Sequence, residues 1–118
     1  MDIETVRAYG LSKKAATEDM PFGDDVLVIR VMEKMFICIH LNMPDRISMK
    51  CNPDYAIELR DRYNGIEGAW HFNKKYWNTV YFNRDVNDRL IKELIDHSYN
   101  EVIKKFTKKL RAEYDNIR

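Results

Sequence analysis

Three short apolar runs, "VLVIRV" at 26–31, "MFICIHL" at 35–41 and "RISMKC" at 46–51, follow one another with only a few residues between them. Gaps that short leave no room for a crossover connection, so the three segments must pair as an antiparallel meander. A register that sets Leu41 opposite Ile47, Ile39 opposite Met49 and Ile37 opposite Cys51 places six apolar side chains on one face. Such a face cannot stay in water, so the rest of the chain has to cover it.

The covering pieces read as helices. Asp2 can cap a first helix from Asp2 to about Ala8, with Ile3 and Val6 on one side and Gly10 as its stop. The second has the clearer start: Asn52 caps, Pro53 fits the first turn and Asp54 suits the positive dipole end. Ala56, Leu59 and Tyr63 form its apolar stripe, and Gly65 suits a left-handed cap. A long last helix starts near Asn87. Its stripe is Leu90, Ile91, Leu94, Ile95, Ser98, Val102 and Phe106, with Arg89, Lys92, Glu93, Asp96, Glu101 and Lys104 opposite.

Between the second and third helices, "GAWHFN" (68–73) and "YWNTVYF" (76–82) read as a fourth and fifth strand with Lys74-Lys75 at the bend. Trp70, Phe72 and Trp77 are expected in the core, although alternation leaves open whether Trp70 and Phe72 or His71 face it. Residues 12–25 read as a polar loop turned by Pro21 and Gly23. The expected fold is α+β: a two-layer sandwich with an antiparallel sheet of about five strands covered by helices, in the order α-β-β-β-α-β-β-α. One domain is expected over 1–118, with a basic tail from about 107 to 118 that frays.

Composition narrows the function classes. A 45% hydrophobic and 33% charged chain is an ordinary globular mix, and no run is long enough to span a bilayer. The acidic start, Met1-Asp2-Ile3-Glu4, has no signal-peptide pattern, so a cytoplasmic location is expected. Cys38 and Cys51 sit in strand-like runs and read as apolar filler rather than a disulfide. Charge is uneven: residues 1–68 hold 9 basic and 12 acidic residues, a net of −3, and residues 69–118 hold 11 and 7, a net of +4. That asymmetry permits a basic face without making the chain a dedicated polyanion binder.

No catalytic set stands out. Asp96-His97-Ser98 has the residue types of a triad, but neighbours on a helix point about 100° apart and cannot bond in series. His40, His71 and His97 lack ligand partners at metal-binding spacing, and the four glycines are too scattered for a phosphate loop. Neither a metal nor a cofactor is expected. An enzyme would need an acid–base pair in a pocket around His71 or His40.

"EDMPFG" near residue 20, "KMF" at 34–36, "WHFNKKYWNTV" at 70–80 and "LIDHSY" at 94–99 resemble, in wording and order, the MmcQ/YjbR family. Pro21, Phe22, Gly23, Phe36, His71, Trp77, Asn78, Asp96, His97, Ser98 and Tyr99 carry that resemblance over nearly the whole chain. It implies a CyaY-like fold, similar to the bacterial frataxin homologue, and a double-wing DNA-binding protein. It does not imply iron binding here, since the first helix has only Asp2 and Glu4 and no acidic ridge. Where the family pattern reads Leu-Pro-Lys-Lys, this chain has Phe106-Thr107-Lys108-Lys109, and loss of the proline lets the last helix run on.

The resemblance makes the turn at Asn73, Lys74 and Lys75 a wing whose lysines meet phosphates, with Lys34, Arg46, Lys50 and Arg84 clustered at the same end of the meander. The competing reading is a solvated turn. Lys104, Lys105, Lys108, Lys109 and Arg111 form a second basic group, which also suits a helix C-terminus. The expected function is a small non-enzymatic binding domain for double-stranded DNA, monomeric, with a homodimer as the alternative state. The rival is a protein-interaction or structural domain, marked by an exposed aromatic patch at Tyr76 or Tyr81.

Overall fold

The structure is a computed structural model that describes residues 1–117, so Arg118 of the expected tail lies outside the described residues. The elements run α1 (Ile3–Leu11), β1 (Ala16–Asp19), β2 (Val26–Val31), β3 (Lys34–His40), β4 (Arg46–Lys50), α2 (Pro53–Arg62), β5 (Ile66–Gly68), β6 (Trp77–Tyr81), α3 (Asp88–Lys104) and α4 (Lys108–Asp115). Antiparallel pairing makes one sheet of six strands in the order β1-β2-β3-β4-β6-β5. The α+β class and the antiparallel sheet are as expected, while the sheet has one strand more.

The extra strand is β1, inside the expected polar loop. Its sequence, Ala-Thr-Glu-Asp, has no apolar alternation because it is a half-exposed edge. Ion pairs anchor it instead: Arg7 of α1 to Glu18, and Arg30 of β2 to Asp19. The expected fourth strand is cut short. β5 ends at Gly68, where a Cβ would lie 3.2 Å from the Lys74 side chain. The chain then leaves the sheet edge, and residues 69–76 fold back over the face opposite the helices. Trp70 is thereby 74% exposed, which corrects its expected place in the core.

The β2–β3 hairpin turns at Met32 and Glu33, both with positive φ (48° and 70°), the geometry that matches strand twist. Ile29 pairs with Ile37 but Arg30 with Met35, so Phe36 is the extra residue of a bulge. The bulge turns Phe36 into the helix layer. There its ring meets Tyr99 edge-on at 5.4 Å, and Ser98 Oγ donates to its carbonyl at 2.6 Å.

Ile37 pairs with Met49 and Cys38 with Ser48, a slip of two residues from the expected register. A slip of two keeps each side chain on its face, so the apolar set survives except for Leu41, which is left exposed beyond the strand.

Asp2 and Asn52 cap as expected, and Asn87, expected only as the start of the last helix, does the same: each accepts from backbone N–H groups of the first turn. The stops differ. Gly10 is inside α1, where a Cβ would lie 2.9 Å from Ile37 Cδ1, so it serves the close approach of helix to sheet. Tyr63 in extended conformation ends α2, and Gly65 is held by its N–H donating to Asp85. Glu101, expected on the solvent side of α3, is 9% exposed.

The last helix does not run on. α3 stops at Lys104, and Thr107 (φ −62°) caps a separate α4 by accepting from the Leu110 N–H. That φ is the one a proline would impose, so threonine keeps the break and adds a hydroxyl cap. The tail expected to fray is helical through Asp115, with Tyr114 bonded to Tyr99 at 2.7 Å.

Candidate functional site

The helices cover one face of the sheet. The other face is open, and two groups of basic residues stand at opposite ends of β4, the first joined by residues from the ends of α3 and α4.

Lys50 closes β4 at the first end. Burial lowers its pKa, with Lys105 and Lys34 adding repulsion against the opposing pull of Glu101. Tyr76 joins the group: Lys105 Nζ lies 4.5 Å and Lys75 Nζ 5.6 Å from its ring centroid. Lys109 and Lys34 line the same hollow beside the N-terminus of α4, together with Glu33 and Glu113. Among the described residues, Lys34, Lys50, Lys75 and Lys105 have no carboxylate within ion-pair distance. Lys34 and Lys105 thus act on Lys50, and Lys75 and Lys105 share the Tyr76 ring, with none of the four in an ion pair among the described residues; from the sequence, Lys105 belonged to a different group.

Arg46 opens β4 at the other end, four residues away. At 3.3 Å per residue that is about 13 Å. Its guanidinium lies 4.6 Å from the Tyr81 ring centroid and that of Arg84 lies 4.0 Å from it. Arg46 is also paired with Asp45. The expected single cluster is therefore two, because strand direction sends Arg46 and Arg84 away from Lys34 and Lys50. Lys74 stands apart from both: its Nζ lies 4.8 Å from the Trp70 ring centroid, and its carbonyl accepts from Arg60. Asn73 Oδ1 accepts from the Lys75 N–H at 3.0 Å and shapes the turn.

Between the two ends lies a cleft of about 180 Å³. Its floor is the cross-strand row Cys38, Ser48 and Thr79. Ser48 Oγ and Thr79 Oγ1 are 2.9 Å apart. Its wall is the 69–76 segment: the His71 ring lies 5.5 Å from that of His40, and Phe72 stacks on Trp77 at 4.4 Å. A neighbouring hollow of about 430 Å³ is also lined by His40, His71 and Phe72 and extends to Phe22. No residue-by-residue pattern announces this cleft, since it depends on where the loop falls.

Chemically activated groups are scarce. Burial lowers the His40 pKa, with His71 adding to the effect, so neutral imidazole is favoured. Burial pushes the Cys38 thiol up to about 11, away from thiolate chemistry. Ser48 is bonded to Thr79 rather than to a base. Among the described residues no three His, Cys, Asp or Glu side chains gather in a way that would hold a metal, and no helix is long and apolar enough to cross a membrane.

The other signature residues are structural. Asp96, His97 and Ser98 reach separate partners: Asp96 the Tyr9 hydroxyl and Lys13, His97 the Asn52 N–H, and Ser98 the Phe36 carbonyl. Tyr99 donates to the Lys14 carbonyl. Asn78 is buried and accepts from Arg60 Nε at 2.7 Å. Pro21, Phe22 and Gly23 form an exposed turn, with Gly23 at φ 118°. Tyr81, expected in an exposed aromatic patch, is only 9% exposed and donates to Glu67, and Tyr76 is half-buried; the exposed aromatics are Phe22 and Trp70.

Comparison with known proteins places these features in context. The YjbR family profile matches residues 11–101. The uncharacterized protein YbdF of Escherichia coli O157:H7 is 28% identical over 101 residues, covering 85% of this chain and 83% of the relative. The uncharacterized protein YjbR of Escherichia coli K12 is 26% identical over 104 residues, covering 87% and 88%. A crystal structure of a Deinococcus radiodurans protein superposes with a TM-score of 0.88 at 32% identity, over 96% of this chain and 87% of that one. A Pseudomonas syringae protein shares the fold with a TM-score of 0.72 at 24% identity, over 86% and 98%.

Proposed function

The chain belongs to the YjbR family, and from that premise we propose that it is a non-enzymatic binding domain that holds DNA by its phosphates. The observation that carries this reading is the gathering of Lys34, Lys50, Lys75 and Lys105 at one end of the sheet without an ion-pair partner among the described residues. Unpaired ammonium groups so placed repel one another, and a polyanion relieves that repulsion while releasing counterions. The Met32-Glu33 turn adjoins Lys34 and the turn over residues 73–76 carries Lys75, which supports reading the two turns as wings. The raised Cys38 pKa and the Ser48–Thr79 bond support the non-enzymatic part, since neither side chain is activated as a nucleophile.

The test is a titration of labelled DNA followed by anisotropy at several salt concentrations. The expected affinity at low salt is about 10 μM or tighter, falling steeply as salt rises. Lys75→Glu with Lys105→Glu should flatten the log–log salt slope by about two units. Arg89→Glu with Lys92→Glu makes the same charge change near the far end of α3 and should leave the slope alone. No binding at low salt, or equal effects of the two double variants, would remove the lysine cluster as a DNA site. A protein partner seated on the exposed Phe22 and Trp70 would then be the reading to pursue.

A further inference from the structure

We propose that the cleft on the open sheet face takes an unpaired nucleobase, so that single-stranded nucleic acid is the preferred ligand over duplex. This rests on the phosphate-binding reading above and adds what lies between the two cationic ends.

The floor supplies the first observation. Ser48 and Thr79 carry two hydroxyl hydrogens, and their mutual bond uses one. The second has no acceptor among the described residues, although both side chains are buried. The cleft therefore presents a free O–H donor at its base. His40 and His71 line the same space, and a neutral imidazole offers both a donor and an acceptor. Sparse polar groups in an apolar frame are what a heterocycle with hydrogen-bonding edges requires.

The wall supplies the second. Trp70 stands 74% exposed at the rim, an unusual place for so large an apolar surface. Phe72 is already stacked on Trp77, which fixes its ring. The indole is steadied by its Nε1–H donating to Glu67 at 3.3 Å and by Lys74 Nζ 4.8 Å from its ring centroid, so a base stacks on the ring face that Lys74 does not cover, and stacking tolerates any base. The two hollows, about 180 and 430 Å³, meet at His40, His71 and Phe72, and together they fall in the range of about 300–1,000 Å³ usual for ligand clefts.

Charge supplies the third. Lys50, Lys75 and Lys105 stand at one end, and Arg46 and Arg84 at the other, about 13 Å apart along β4. An extended strand laid across the sheet passes from one cationic end to the other with its bases over the cleft. A base in a duplex is paired and stacked and cannot enter a concave site without being extruded.

The experiment compares a labelled single-stranded 12-mer, the matching duplex and a free nucleoside monophosphate. Each is titrated into the intact chain and into Trp70→Ala, Ser48→Ala and the Lys75→Glu, Lys105→Glu double variant. Single strand should bind about 10-fold tighter than duplex, and Trp70→Ala should weaken single-strand binding by about 10-fold with duplex unchanged. Ser48→Ala should weaken single-strand binding more modestly. Trp70 is at the surface, so its loss should leave the fold intact, which the melting temperature checks.

Equal affinity for the two DNA forms, no binding of the single strand, or a Trp70→Ala effect that is absent or the same on both overturns the proposal. If the lysine variant still weakens both forms, the phosphate reading stands and only the base site falls. If the lysine variant changes neither, the phosphate reading falls too. A free nucleotide that competes as strongly as the 12-mer overturns the single-strand assignment and makes the cleft a nucleotide site.

Discussion

His97 Nε2 accepts the backbone N–H of Asn52 at 3.1 Å, tying the middle of α3 to the cap of α2. An acceptor nitrogen must be unprotonated, and the Tyr55 ring packs edge-on against the same imidazole at 5.0 Å. Burial lowers the His97 pKa, against the opposing pull of Glu101. The unfolded chain then binds its proton at higher pH than the folded one, so the stabilisation is complete above the unfolded value near 6.5 and is lost as pH falls through the folded value. His40 is shifted the same way, mainly by burial, and adds to the slope. Melting temperature measured from pH 8 to pH 5 should therefore drop on the acid side. His97→Gln should make that drop shallower and cost about 1–2 kcal/mol at pH 7.5. An unchanged pH profile would place the titration elsewhere.

Asn78 couples β6 to α2. Its Oδ1 accepts from Arg60 Nε at 2.7 Å and its Nδ2 donates to the Ala56 carbonyl at 3.4 Å, with the residue 3% exposed. Arg60 also reaches the Trp77 carbonyl at 3.4 Å. Asn78→Ala leaves a carbonyl and a guanidinium short of partners and should destabilise by about 2 kcal/mol in urea unfolding. Arg60→Ala should cost less, because water can replace it at the rim. In a double-mutant cycle the two losses should fall short of adding, by about 1 kcal/mol; strict additivity would mean the pair does not interact.

The meander and the two longer helices were legible because period-2 runs, short gaps and Asn or Asp caps are local signals. The register was off by two residues because a two-residue slip leaves face assignment intact, so patterning cannot see it. β1 was invisible for a related reason: an exposed edge buries too little to leave an apolar trace. The 70–82 stretch is the region that borders the cleft, but Trp70 belongs to the surface because the chain leaves the sheet after Gly68. Lys105 joined Lys50 only through the packing of α3 on the strands. The cleft between His40 and His71 needed residues 31 positions apart in sequence, which no local pattern reports.

Gly10 lies where α1 packs close against the sheet. A Cβ there would meet Ile37 Cδ1 at 2.9 Å and Ile29 Cδ1 at 3.1 Å, both buried core side chains. Alanine would gain helix propensity of about 1 kcal/mol over glycine and need only a small shift of two methyl groups, so Gly10→Ala should be close to neutral. Valine adds two more carbons with no space for them. Gly10→Val should destabilise by about 1–3 kcal/mol in the same urea assay. If valine were tolerated as well as alanine, the close approach of α1 would be wrong.

The break at residues 105–107 separates a fixed helix from an exposed one. α4 buries no residue fully and is held by its Thr107 cap, by Tyr114 bonded to Tyr99 at 2.7 Å and by Phe106 edge-on to Tyr114 at 5.7 Å. Few buried contacts mean that α4 can open without the rest of the chain. Thr107→Ala removes the acceptor for the Leu110 N–H and should cost about 1 kcal/mol, felt by α4 alone. Amide exchange from Leu110 to Tyr114 should accelerate about fivefold while exchange in β3 and β4 stays the same. Thr107→Pro keeps φ near −62° and should slow that exchange relative to Thr107→Ala by restricting the unfolded chain. Equal acceleration in the sheet would mean that α4 unfolds only with the whole domain. Lys109, which lines the hollow beside the lysine cluster, would then be as firmly placed as Lys50.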